Sequence, residues 1–384
     1  MAIKVLYLNH VSTCGGGAEQ SLIELLDALP DVDATVMMPS GGDLVRECQQ
    51  RDIPVVSAPL RALSRSKDPL RQIRFLLSLV HVRGKLRRLV RKGGFDVVHA
   101  NSTSAAVYAA WAFGKRGGDG PGPRVIWHCR DSVPLGWIGP WLAERVSVAV
   151  AISDRVGDQL KPFFPADRVT VIKNGVAAPR LAAGKSRRAF REDARIPRDA
   201  PVVGMAAHLL PWKNHALFLR ACAHVMERCP GTHFVLAGGE PSGGVAGYPA
   251  RLTELAGRLG IAAHTTFLGH YPDMGGFYRG IDALCHPVVS EPFGRVVAEA
   301  MMMGVPVTVM AGSGPAEYVE DGQTGLVAAD PTPDCLAEGI CRLLTAPSLR
   351  HLGENARGFA QAHLSVADTA KRLSRLYQGI CRRV

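Results

Sequence analysis

The chain reads as an α/β protein built from two doubly wound domains that face a cleft. Three observations predict this. Strand-like apolar runs alternate with helical ones from end to end. The 384 residues exceed what one ordinary core organises, which suggests two domains of roughly 150–200 residues each. A second strand series begins near residue 202, after a basic, Ala- and Gly-containing stretch (179–195) that reads as a linker.

In the first half, residues 5–9 form a candidate strand that leads into Gly15-Gly16-Gly17-Ala18-Glu19 and an apolar helix over 21–29. Further strands are expected at 34–38, 55–58, 97–100, 125–128 and 148–152. The second half offers strands at 202–206, 234–237, 266–268, 283–287, 307–310 and 326–328. No low-complexity tract or short-period repeat interrupts either series.

Composition excludes several classes. Hydrophobic content of 47% with 21% charge is that of a globular protein. No apolar run approaches the ~20 residues of a spanning helix, and residues 3–8 read as a first strand rather than a signal-peptide core. Nine scattered cysteines without a CxxC pair predict reduced cytoplasmic thiols rather than a disulfide scaffold or zinc site. Almost all of the net charge of +11 comes from residues 61–92. There Arg61, Arg65, Lys67, Arg71, Arg74, Arg83, Lys85, Arg87, Arg88, Arg91 and Lys92 face one acid, Asp68. Interleaved apolar residues make this a basic, amphipathic helical region, suited to an anionic membrane surface or a phosphorylated acceptor, or else to an ordinary helix with a solvated basic face. No base-stacking aromatics accompany it, so nucleic acid is not expected.

Four places carry candidate chemistry. Glycines after the first strand let backbone amides approach an anion closely. The cluster lacks GxGxxG order and no acid ends the second strand, so a nicotinamide cofactor is not expected. Lys213, in Leu210-Pro211-Trp212-Lys213-Asn214, stands at a strand–loop–helix mouth, where a cation can neutralise a leaving diphosphate. His128 ends the strand Val125-Ile126-Trp127-His128, a position where histidine is often simply hydrogen-bonded, and Arg130 and Asp131 follow it at the same rim. Last comes Ser290-Glu291-Pro292-Phe293-Gly294-Arg295-Val296-Val297-Ala298-Glu299, a loop and helix start with carboxylates eight residues apart. Both can face one cleft, with the amides of Phe293 and Gly294 at a positive helix end between them.

This last pattern resembles the donor-sugar motif of retaining glycosyltransferases of family 4, which adopt the GT-B fold of two Rossmann-like domains. The resemblance implies that Glu291, Pro292, Phe293 and Gly294 hold the hexose of a nucleotide-sugar and that Glu299 holds the ribose. Gly16 or Gly17 would meet the diphosphate or the sugar, Lys213 the diphosphate, and His128 the hexose near its anomeric centre. His270, in Phe267-Leu268-Gly269-His270, marks the strand end that reads the base. Arg130 and Asp131 would meet the acceptor. The family's usual arginine five residues before the lysine is replaced here by His208, which cannot make a bidentate guanidinium clamp.

The resemblance further implies domains at 1–178 (acceptor) and 179–384 (donor), with a closing helix at about 366–383 packed back on the first. No DxD-type pair lies in a plausible metal loop, so no metal is expected, and the nucleotide-sugar is a co-substrate rather than a cofactor. The expected activity is retaining transfer of a hexose or N-acetylhexosamine, from a UDP-sugar first and GDP-mannose second, to a glycan, lipid-linked or metabolite acceptor. A nucleotide-sugar epimerase of the same fold and a non-catalytic nucleotide- or carbohydrate-binding homologue remain alternatives.

Overall fold

The computed structural model describes residues 2–63, 68–114, 122–132, 134–241, 244–345 and 349–382. Arg65 and Lys67 of the basic region and residue 383 of the closing helix lie outside them. The chain divides into two compact units, one of residues 1–175 with 366–384, the other of 176–365.

The first unit contains β1 (Ile3–Leu8), β2 (Val32–Met38), β3 (Val55–Ser57), β4 (Val97–Ala100), β5 (Arg124–Cys129), β6 (Val148–Ala151) and β7 (Val169–Val171). They form a parallel sheet in the order β3-β2-β1-β4-β5-β6-β7. Parallel strands are covered on both faces, which is why they appear in the sequence as continuous apolar runs. Val5, Tyr7, Val36, Met38, Val97, Ile126 and Val150 share a core with Leu22, Leu25 and Leu26 of the helix Gly17–Asp27. Leu373, Tyr377 and Ile380 of the closing helix Val366–Arg382 complete that core, so the last helix belongs to the first unit.

The second unit contains β8 (Val202–Ala206), β9 (His233–Ala237), β10 (Thr265–Gly269), β11 (Ala283–His286), β12 (Val307–Met310) and β13 (Leu326–Ala328). Their order, β10-β9-β8-β11-β12-β13, repeats the first sheet without its last strand. Both sheets therefore reverse direction beside their first strand, between β1 and β4 and between β8 and β11. At such a reversal successive loops leave the carboxyl edge in opposite directions and open a crevice.

Two expectations are corrected. The stretch 179–195 is no linker. It holds the helices Ala178–Ala182 and Arg187–Asp193, and Phe190 is fully buried against Phe277 and Tyr271. Its basic composition misleads because the charges are paired within the unit, Lys185 with Asp193 and both Arg187 and Arg191 with Asp282. The first helix starts at Gly17 rather than residue 21, so Gly16 is its N-cap and Gly17 lies in its first turn.

The basic region folds as the helix Pro69–Gly93, capped by Asp68, whose side chain accepts from the Leu70 amide at 3.0 Å. It buries Phe75, Leu79, Val82, Leu86 and Val90 at four- and three-residue spacing. Its exposed surface is not uniformly basic. Leu70, Ile73, Leu76, Leu77 and Val80 are all more than half exposed, whereas Arg83, Lys85, Arg87, Arg88, Arg91 and Lys92 crowd the second half. The helix is polarised along its axis as well as around it.

Candidate functional site

In the second unit, β8 feeds a tight turn, Pro211–Lys213, and then the helix His215–Arg228. Asn214 links them in the left-handed region (φ 61°), and its side chain donates to the Pro287 carbonyl at 2.8 Å. That bond ties the loop after β8 to the loop after β11, across the reversal point. On the other side, Glu291 to Gly294 lead into the helix Arg295–Met302. Gly294 (φ 78°) is required there, because a Cβ would sit 2.4 Å from Pro315 Cγ. Gly314 also admits no side chain, since its Cβ would lie 2.1 Å from the Pro292 carbonyl oxygen. Its amide donates to the Glu291 carbonyl at 2.8 Å, and the Tyr318 hydroxyl donates to the Phe293 and Gly294 carbonyls. The loop carbonyls are thus held from behind. Among the described residues the Phe293 and Gly294 amides meet no acceptor, as expected at a helix start.

The two loops meet where Lys213 Nζ donates to Glu291 Oε2 at 2.6 Å. His286, the last residue of β11, places Nε2 3.2 Å from the same oxygen. Burial opposes the charge on Glu291, but the His286 hydrogen bond and the Lys213 ammonium outweigh it and bring the carboxyl down to about 2. The pair is one-eighth exposed, so it combines a fixed charge with access to solvent.

Glu299 sits in the second turn of its helix with its side chain only 4% exposed. Arg180 and Arg295 donate to Oε1 at 2.5 and 2.8 Å, and Tyr278 donates to Oε2 at 2.8 Å. Each carboxylate oxygen accepts two bonds, so Oε2 keeps capacity for a further donor. His208 lies half-buried just beyond β8, on the Lys213 side. His270 is exposed at the end of edge strand β10, with β9 between it and β8. It is not part of the Lys213–Glu291 group.

The first unit presents Gly16 and Gly17 after β1, with Gly16 close-packed on Glu19. Beside the reversal point the Asn101 side chain donates to Asn9 Oδ1 at 3.0 Å. His128 is completely buried on β5, its Nδ1 3.1 Å from His99 Nε2 and 3.4 Å from Arg130 Nη2. The guanidinium charge favours a lone pair at Nδ1, so the proton resides on His128 Nε2. His99 Nε2 then donates, its Nδ1 accepts from the Tyr377 hydroxyl at 2.8 Å, and Tyr377 lies 3.0 Å from the Tyr7 hydroxyl. Burial, reinforced by Arg130, holds His99 down at about 3 and His128 well below the usual imidazole range. Both rings are neutral. His128 Nε2 is a buried donor with no partner among the described residues, a cost of about 1–3 kcal/mol that an oxygen acceptor removes.

Arg130 requires correction. It is buried rather than at a rim, and its guanidinium donates to Asn101 and Asn174, at 2.8 Å each. Its position suits ordering His128, not meeting an acceptor. Asp131 is exposed and lines a neighbouring apolar cavity.

Sequence reading missed His286, His99, Tyr377 and Arg180. His286 had a signal, since it ends a strand five residues before Glu291. Arg180, 119 residues from Glu299, had none.

Comparison with known proteins gives a consistent result. The family described as Glycosyltransferase Family 4 matches residues 15–180, and that described as Glycosyl transferases group 1 matches residues 186–359. The D-inositol 3-phosphate glycosyltransferase of Actinosynnema mirum is 36% identical over 223 residues, which is 55% of this chain and 52% of that protein. Its namesake from Saccharomonospora viridis is 33% identical over 279 residues, 70% of this chain and 61% of that one. The chain therefore matches only about half to three-fifths of the length of these curated relatives. The crystal structure of Anabaena Alr3699/HepE in complex with UDP and glucose superposes with a TM-score of 0.82 at 22% identity, over 98% of this chain and 100% of that one, a likeness of fold. With both halves matched and both sheets wound in the same order, the chain belongs to glycosyltransferase family 4 and has the GT-B fold.

Proposed function

We propose that this protein is a metal-independent, retaining glycosyltransferase that moves a hexose or N-acetylhexosamine from a nucleotide-sugar to an acceptor hydroxyl. The observation that carries the reading is the Lys213–Glu291 pair at the reversal point of the second sheet, beside loop amides that meet no acceptor among the described residues. Such a group offers a cation and amides to a diphosphate and a carboxylate to sugar hydroxyls. UDP is the first choice of donor nucleotide, supported by the UDP-bound neighbour of the same fold, and GDP-mannose is the second. A phosphorylated or lipid-linked acceptor fits the basic helix and the inositol phosphate in the relatives' names. The same helix suits peripheral contact with an anionic membrane.

In the reaction the bond from the anomeric carbon to the diphosphate breaks and the nucleoside diphosphate departs with the electron pair. The acceptor oxygen attacks the same face and passes its proton to the departing phosphate oxygen. Lys213 and the Phe293 and Gly294 amides stabilise the growing negative charge. Glu291 orients the hexose, and Glu299, held by Arg180, Arg295 and Tyr278, accepts from the ribose. His128 donates from Nε2 to a hexose oxygen.

The test is transfer and donor hydrolysis in two variants. Glu291→Ala should lower kcat, whereas Glu299→Ala should mainly raise the KM for donor. Hydrolysis and transfer indifferent to both changes would remove the assignment.

A further inference from the structure

The first unit contains a concavity that the donor chemistry does not use. It encloses about 1030 Å³ and is walled by the apolar half of the helix Pro69–Gly93, by the helix Thr103–Phe113, and by the chain that follows β5. Leu76, Val80, Val107, Trp111, Trp137 and Trp141 make it apolar and give it three of the chain's five tryptophans.

We propose that this cavity seats the hydrocarbon tail of an anionic, lipid-linked acceptor, a proposal that rests on the glycosyltransferase reading above. Four observations point to that occupant. The volume is at the upper end of small-molecule sites and suits a long flexible chain. Of the side chains that line it, Leu76, Val80 and Trp137 are 59%, 69% and 74% exposed, an apolar patch that a protein in water covers with something. Cations flank it. Arg71 lines the cavity, and the Arg83 guanidinium lies 5.3 Å over the Trp111 ring with a buried Nε that has no hydrogen-bond partner among the described residues. Finally, Thr103 and Asp131, which follow β4 and β5, belong to the wall. The cavity thus adjoins the carboxyl edge of the sheet, the edge at which β5, the strand of His128, ends. A tail seated here brings its headgroup to that edge. Free inositol phosphate has nothing to place in such a cavity, and a second copy would bring its own basic helix against this one.

The experiment uses the full chain and its tryptophan emission. Decyl phosphate, kept below its micelle concentration, is the probe, with inorganic phosphate and decyl maltoside as comparison arms. Vesicles of brominated phosphatidylglycerol form a further arm. Decyl phosphate should change the emission saturably, inorganic phosphate should not, and decyl maltoside should bind more weakly. Leu76→Glu and Val80→Glu alter exposed side chains and should each weaken decyl phosphate by about tenfold or more. Arg71→Glu should weaken decyl phosphate while leaving decyl maltoside unchanged. UDP binding, measured by calorimetry on the same samples, should persist in every variant. The proposal is overturned if decyl phosphate does not saturate, or if neither glutamate variant weakens it. It is equally overturned if only vesicles quench, which makes the patch a membrane-docking face, or if sedimentation shows a dimer that these variants dissolve. Wild-type protein that binds decyl phosphate but neither UDP nor GDP would refute the donor reading and leave the tail site standing.

Discussion

The two sheets reverse at the same topological point, yet the side chains placed there differ in kind. In the second unit the loops after β8 and β11 bring a lysine and a glutamate together, charged and partly open to solvent. In the first unit the corresponding loops bring together Asn9 and Asn101, backed by the buried ladder Arg130, His128, His99 and Tyr377. Winding order decides where loops converge and says nothing about what they do there. The second crevice is built to meet charge. The first keeps its imidazoles neutral and holds one donor in a fixed direction. Substitutions at the two points should therefore fail in different ways.

The largest effect is expected from Lys213→Ala. If the ammonium stabilises a leaving diphosphate, its loss should lower kcat by on the order of 10²–10³, the usual consequence of deleting one such donor. Glu291 would keep its bond from His286, so folding should be little changed. Initial rates with saturating donor, beside a thermal melt, check both statements. A variant with normal kcat would mean that the lysine only braces Glu291, and the contrast between the two crevices would lose its chemical side.

Acid sensitivity sharpens the comparison. His99 is held at about 3 in the fold against 6.5 unfolded, so the unfolded chain binds the extra proton first. Stability is complete above pH 6.5 and declines toward pH 3, by about 1.4 kcal/mol per pH unit for each such histidine. Glu291 follows the same sign in a lower window, from 4.5 down to about 2. His99 alone would remove about 2.7 kcal/mol by pH 4.5, a sizeable share of an ordinary folding free energy, and His128, held well below the usual imidazole range, acts in the same direction. The histidines therefore act before the carboxylate titrates. His99→Gln should shrink the stability difference between pH 7 and pH 5 by about 2 kcal/mol, and Glu291→Gln should leave it as it was. Urea unfolding followed by tryptophan emission suits the measurement, since Trp111, Trp127, Trp137 and Trp141 all report on the first unit. Equal shrinkage in both variants would contradict this ordering.

Much of this arrangement can be read from the chain because the strands are parallel and buried on both faces. Residues 97–100, 202–206, 307–310 and 326–328 begin and end in the structure where their apolar runs do. The short edge strand Val169–Val171 escapes notice because it is half-buried and only three residues long. The stretch 179–195 deceives because charge composition does not reveal pairing, and Asp282, which holds two of its arginines, lies some 90 residues away in sequence. At the site, Glu291, Glu299 and Lys213 stand out because loop chemistry and spacing mark them, and Arg295 follows from its four-residue offset to Glu299. Arg180 and His99 become meaningful only once the topology is known. A histidine inside a strand looks like any buried residue until β4 and β5 pair and bring His128 against it.

The smallest effect tests the ladder at its far end. Tyr377 lies on the closing helix, 278 residues from His99, and its hydroxyl bridges Tyr7 and His99 inside the first unit. Tyr377→Phe keeps the ring and its packing but leaves the Tyr7 hydroxyl and His99 Nδ1 without this partner, a loss of about 1 kcal/mol or somewhat more. A merely structural tyrosine would show that loss and nothing else. If the hydroxyl also fixes the tautomer of His99, and through it the proton on His128 Nε2, kcat should drop a few-fold while the KM for donor stays constant. The double change Tyr7→Phe with Tyr377→Phe separates the roles. It removes the stranded Tyr7 hydroxyl and should recover part of the stability, but the kcat deficit should persist because His99 Nδ1 still lacks its donor. Recovery of both together would reduce the ladder to packing, and the neutral imidazoles of the first crevice would then lose their claim to be set for chemistry.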